Sequence, residues 1–232
     1  MSIYNAYRER TRLPGLVDDK AAFWTPQSIP NLQQWLKADA ITGKVDGDKI
    51  SQWDDSSGNG NHATQGAGAN QPLYKTNRLN NLPAVYISGG SMSMTAGYNP
   101  SNPYTLFLLY IRRNGGRRTI QGSNNWLVGP YNGTHAIYNG GWVGAGAAVG
   151  TDVSVYTTLT SEAGASTMRQ NGVAKGGSGT DGIPGTLYMG SDGAYPAEVA
   201  TCDIMEMLIY SRVVTALEIA TIEAYIKAKY AL

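Results

Sequence analysis

Cysteine is almost missing. Cys202 stands alone among 232 residues, so no internal disulfide can form and stability has to come from the core. The bland role for such a thiol is that of a small buried hydrophobe. Histidine is scarce too: His62 and His135 are the only two, and no Cys/His spacing suits zinc. Charged residues make up 15% of the chain, against roughly 25% in typical soluble proteins. The surface must therefore be rich in Gly, Ser, Thr and Asn. A formal net charge of +1 gives no general attraction to nucleic acid, and no RNA- or DNA-binding motif is found. No run approaches 18 apolar residues, and Met1 to Arg10 lacks the apolar core of a signal peptide. The expectation is a protein made in the cytoplasm, with no membrane insertion. Gly-x-Ser-x-Gly is absent. Gly144-Ala145-Gly146 precedes a β-like stretch rather than a helix, so it lacks the setting of a dinucleotide loop.

The clearest positive signal is the last thirty residues. Asp203 to Tyr210 is apolar at six of eight positions, which suits a strand covered on both faces. Thr215 and Glu218 form a capping box for a helix. Ile219, Ile222, Ile226 and Tyr230 make its apolar stripe, while Glu218, Glu223, Lys227 and Lys229 are expected on wet faces, with Glu223 and Lys227 as an i,i+4 pair. Upstream, Tyr104 to Ile111 reads as a strand buried in a core, and Asn171-Gly172 as a two-residue hairpin turn. Short strands separated by Gly and Asn turns predict an antiparallel sandwich. Residues 1–29 differ: Arg8, Arg10 and Arg12 with Tyr4, Tyr7, Phe23 and Trp24, without periodicity. They read as an arm, either a ragged terminus or an assembly segment whose anchors would be Tyr4, Tyr7, Arg8, Arg12, Phe23 and Trp24.

Several blocks carry a family resemblance: Trp35-Leu36-Lys37-Ala38-Asp39, Trp53-Asp54-Asp55-Ser56-Ser57-Gly58-Asn59-Gly60-Asn61-His62-Ala63, Leu79-Asn80-Asn81-Leu82-Pro83, and the ending Lys229-Tyr230-Ala231-Leu232. Together they resemble the laminin G-like, concanavalin A-like lectin/glucanase domains of bacteria and their phages. Two positions depart from the pattern: Asn81 and Ala231 stand where relatives usually carry Gly. The resemblance implies an all-β, antiparallel two-sheet jelly-roll sandwich over residues 30–232, with one C-terminal helix and an N-terminal arm. Glucanases of this fold carry E-x-D-x-x-E on one strand. Here Asp203 and Glu206 remain, but the nucleophile position is Thr201. Retention needs two carboxyl groups roughly 5–5.5 Å apart, and on a regular strand Asp203 and Glu206 face opposite ways unless a bulge intervenes. Glu206 is read as structural, and the chain is expected not to be an enzyme.

Three clusters remain. Asn125, Trp126, Tyr131, Asn132, His135, Tyr138 and Trp142 interleave rings with amides, as pyranose stacking and hydroxyl recognition require; the same rings could equally fill a core. Arg112, Arg113, Arg117 and Arg118 flank Asn114-Gly115-Gly116 and could grip phosphate, sulfate or uronate, or simply solvate a hairpin tip. Asp54 to His62 could hold Ca²⁺ through oxygen ligands, although a turn that bonds its own backbone is favoured, and no cofactor is assigned. Asn132-Gly133-Thr134 is a glycosylation sequon on paper only, since no secretory route is expected to export the chain. The functional expectation is a structural or adhesion subunit of a phage particle, homo-oligomeric through its arm and bound to other virion proteins. It would display a domain for surface or capsular polysaccharide; a free carbohydrate-binding module is the alternative.

Overall fold

The computed structural model describes residues 24–88, 93–114, 117–144, 146–152, 154–190, 196–198 and 200–232. Among the described residues fifteen strands occur in order: β1 (Leu32–Lys37), β2 (Gln52–Trp53), β3 (Ala63–Thr64), β4 (Leu73–Leu79), β5 (Leu82–Ile87), β6 (Ser93–Thr95), β7 (Tyr104–Arg112) and β8 (Ile120–Gly122). Then come β9 (Trp126–Tyr131), β10 (Thr134–Tyr138), β11 (Ser154–Glu162), β12 (Ala165–Gln170), β13 (Val173–Ser178), β14 (Leu187–Gly190) and β15 (Cys202–Tyr210), closed by helix α1 (Ala216–Tyr230). Every strand pairing is antiparallel. The larger sheet runs β13-β12-β11-β7-β15-β5-β4, with β1 also paired to β15, and the smaller runs β10-β9-β8-β14-β6-β3-β2. This is the all-β sandwich with a terminal helix.

Strand β15 is its hub. One edge pairs with β7 along its whole length, and the other is shared end to end by β5 at Cys202–Ile204 and β1 at Glu206–Tyr210. All nine residues of β15 are buried, because one face meets the smaller sheet and the other meets α1. Cys202, Ile204, Met207 and Ile209 join the inter-sheet core, while Met205, Leu208 and Tyr210 join Ile222, Tyr225, Ile226 and Tyr230 of the helix. Burial pushes the Cys202 thiol pKa up, in keeping with a buried hydrophobe.

The turns follow from residue types that tolerate left-handed backbone. Asn80 and Asn81 (φ 48° and 65°) join β4 to β5, and Asn171 and Gly172 (φ 51° and 79°) join β12 to β13. The helix begins as the capping box requires: Thr215 Oγ1 accepts from Glu218 N at 3.3 Å, and Glu218 Oε2 accepts from Thr215 N at 2.7 Å.

Two helix expectations are corrected. Glu223 is not wet and does not pair with Lys227; it is 5% exposed and accepts from Arg169 at 2.8 and 3.0 Å and from Thr158 at 3.1 Å. Lys229 is also drawn in, bridging Glu206 and Asp39 at 2.8 and 2.9 Å. Both side chains face the larger sheet, where an unpaired charge is costly, so each has found an opposite charge.

Trp24 packs on Tyr225 of the helix with centroids 5.9 Å apart, Ile29 is buried, and Pro26 O accepts from Tyr210 OH at 2.9 Å. The remaining arm candidates, Tyr4, Tyr7, Arg8, Arg12 and Phe23, lie outside the described residues.

Candidate functional site

Strands β9 and β10 form a hairpin closed by Asn132 and Gly133 (φ 49° and 82°), so the first two sequon residues are the turn and Thr134 begins β10. Strand alternation sorts the side chains. His135 and Ile137 point inward and are fully buried, whereas Tyr131 and Tyr138 are half-buried on the outer face. After a tight turn, in which Asn139 N donates to Gly141 O at 2.9 Å, the chain comes back beside β10 and Trp142 bridges to Tyr138.

The outcome is a row of rings. Trp142, 50% exposed, has its centroid 4.8 Å from Tyr131 at 53° and 5.2 Å from Tyr138 at 77°. The Arg117 guanidinium extends the row, 5.0 Å from the Tyr131 centroid, within cation–π range. Beside it opens a cleft of about 440 Å³ lined by Arg112, Arg117, Asn132, Gly133, Ala197 and Glu198.

Two members of the aromatic cluster do not reach this surface. Trp126 is 1% exposed and its indole N–H donates to Asn139 Oδ1 at 2.7 Å, inside a network with Tyr104, Ser161 and Ser166. His135 lies between Tyr110 OH at 2.8 Å and Thr157 Oγ1 at 3.0 Å, and burial lowers its pKa to about 3. Both are core residues. Asn125 is exposed with φ 51° and accepts from Arg118 at 3.0 Å.

The arginines do not act as one grip. Arg113 is tied to Asp203 and, at 2.6 Å, to Asp152. Arg118, 4% exposed, holds Glu198 at 2.7 Å. Only Arg112 and Arg117 line the cleft. Glu198 is the residue that sequence reading missed. Its backbone carbonyl accepts from Arg117 N and Arg118 N at 2.6 and 2.8 Å, and its carboxylate accepts from both guanidinium groups. Partial burial opposes its ionisation, but those hydrogen bonds outweigh burial and hold its pKa below the usual range. Four arginines within seven positions ask for acidic partners, yet nothing local in the sequence names Glu198.

The β15 carboxylates are each committed. The β15–β7 register shifts between Ile204 and Glu206, so a bulge turns Glu206 to the helix side, the same outer face that alternation gives Asp203. Glu206, fully buried, accepts from Trp35 Nε1 at 2.6 Å, Tyr225 OH at 2.8 Å, Lys229 Nζ at 2.8 Å and Tyr230 OH at 2.9 Å. Asp203 Oδ2 accepts from Arg78 at 2.9 Å and from Arg113. In the Asp54–His62 loop, Asp55 accepts from Trp35 N, Ser57 N, Ser57 Oγ and Asn61 N at 2.6–3.0 Å, which is the self-bonded turn. Downstream of Gly144 the chain enters strand β11 rather than a helix.

No family model and no curated protein matches the sequence. Solved structures do. Sialidase of Trypanosoma rangeli with sialic acid matches at TM-score 0.58 and 12% identity, over 84% of this chain and 33% of that one. Domain 4 of AbnA, a GH43 extracellular arabinanase from Geobacillus stearothermophilus, in complex with arabinotriose, matches at 0.59 and 17%, over 83% and 98%. The binding domain of Paraclostridial Mosquitocidal Protein 1 matches at 0.60 and 12%, over 87% and 53%. The chain thus spans a third of the sialidase chain and about half of the mosquitocidal binding domain.

At such identities the likeness establishes the fold. The shared architecture is a β-sandwich; the narrower laminin G-like assignment has no family model behind it. The expectation that the chain is not an enzyme is corrected by the same set. A sialidase and an arabinanase carry this sandwich, and the missing carboxylate at Thr201 speaks only to one glucanase scheme.

Proposed function

We propose that this chain is a carbohydrate-binding β-sandwich whose recognition face is the row Tyr131, Trp142 and Tyr138 with Asn132 at the hairpin tip. The observation that carries the reading is Trp142. A large ring left half exposed and held at fixed tilt by two tyrosines loses little freedom when the C–H face of a sugar stacks on it. The amide of Asn132, exposed at the adjoining tip, can share hydrogen bonds with hydroxyls. Support also comes from AbnA domain 4, nearly the whole of which aligns with this chain and whose structure contains arabinotriose. Affinity electrophoresis against a panel of plant and bacterial polysaccharides tests the reading. Wild type should be retarded in at least one gel and Trp142→Ala should run freely in it; equal mobility of the two in every gel would remove the proposal.

The setting we infer from the family resemblance is a phage particle, with the sandwich displayed as a subunit and residues 1–29 serving assembly with other virion proteins or further copies. Finding the protein at fixed copy number in purified particles is the expected result. Sedimentation with and without residues 1–23, which leaves Trp24, Pro26 and Ile29 packed on the sandwich, checks the arm, and a monomer in both forms contradicts its role.

A further inference from the structure

The cleft beside the ring row has a charge pattern that neutral sugars do not need. Arg117 and Arg118 both bond Glu198, at 3.0 and 2.7 Å, so one carboxylate faces two guanidinium groups. Arg112 brings a third. Its hydrogen bonds go to the backbone carbonyls of Asn114 and Val149, at 2.9 and 3.0 Å, and among the described residues it meets no carboxylate. Among the described residues, the mouth of the cleft therefore carries more positive than negative charge, on a protein whose overall charge is only +1. The Arg117 side chain is 46% exposed, and its guanidinium lies against Tyr131, the ring that abuts Trp142.

Resting on the carbohydrate reading, we infer that the ligand is an acidic polysaccharide, with a pyranose on Trp142 and the carboxylate of a uronic acid residue in the cleft between Arg112 and Arg117. The planar guanidinium fork matches a carboxylate in two parallel hydrogen bonds, and Asn132 lines the same cleft to meet a hydroxyl. Glu198 keeps Arg117 oriented without cancelling the local charge, since Arg118 shares it.

The test compares uronate polymers, polygalacturonate and alginate, each with its carboxyl-reduced form, by affinity electrophoresis and calorimetry on wild type, Trp142→Ala and the double variant Arg112→Gln/Arg117→Gln. Wild type is expected to bind an acidic form at least about tenfold tighter than its reduced counterpart, with the preference shrinking as salt screens the charges. The double variant should keep the affinity for the reduced form and lose the preference. That retained affinity, with an unchanged melting temperature, shows that the variant is folded. Equal affinity of wild type for acidic and reduced forms, or a preference that survives in the double variant, overturns the uronate inference while leaving the ring platform standing. Binding of neither form, together with free migration in every gel of the wider panel, sinks both.

Discussion

The indole N–H of Trp35 on β1 donates to Oε1 of Glu206 on β15 at 2.6 Å, linking two residues 171 positions apart. Around that carboxylate gather Tyr225, Lys229 and Tyr230 of α1. One acidic side chain thus fastens the first strand and the last helix to the central strand. Replacing it by Glu206→Gln leaves Lys229 with a neutral partner in a buried site, and the loss of unfolding free energy should be about 3 kcal/mol in urea titration. A loss under about 0.5 kcal/mol would show that Asp39 alone satisfies Lys229.

His135 contributes a slope to the acid side of the stability profile. In the fold its pKa is lowered to about 3 by burial, against 6.5 for the free side chain. Between those values the unfolded chain carries a proton on this residue and the folded chain does not. Stability must therefore fall as pH drops from 6.5 toward 3. His135→Gln should start lower, having lost two buried hydrogen bonds, but lack the slope between pH 6.5 and 5. An unchanged slope in that interval would place the titration elsewhere.

Trp126 and Trp142 should part company under the same substitution. Trp126→Ala removes a ring from the inter-sheet core and should cost about 3–5 kcal/mol. Trp142→Ala should cost under about 1 kcal/mol of stability, yet weaken polysaccharide binding tenfold or more. Thermal melts and affinity gels on both variants separate the two roles; a Trp142→Ala protein that binds unchanged counts against the platform.

The helix ends on Ala231 at φ 51°, ψ 52°, a left-handed position that costs a residue with a Cβ about 1–2 kcal/mol. Ala231→Gly relieves that strain and gives back about 0.4–1 kcal/mol to the unfolded chain's freedom. A net gain of about 0.5 kcal/mol is expected, read as a melting temperature higher by about 1–2 °C.

The sandwich, the capping box at Thr215, the buried run of β7 and the Asn171-Gly172 turn were all legible in sequence, because each depends on residues within a few positions of one another. The sidedness of Asp203 and Glu206 was not, since a bulge depends on register against β7. Glu223 and Lys229 looked like surface charges for the same reason: their partners Arg169, Glu206 and Asp39 are set by topology. The ring cluster was half legible. Alternation along β10 predicts that His135 and Tyr138 part, but which of them faces water follows only from which side the larger sheet covers.

Trp24 and Tyr225 touch near the two ends of the described chain, on the helix-covered side of the larger sheet, while Trp142 grows from the smaller one. Anything joined through the C-terminus is thereby attached at the back of the molecule. Beads, surfaces or neighbouring domains linked there would hold the sandwich with its ring row turned outward, so immobilisation by that end should spare access to long polymers.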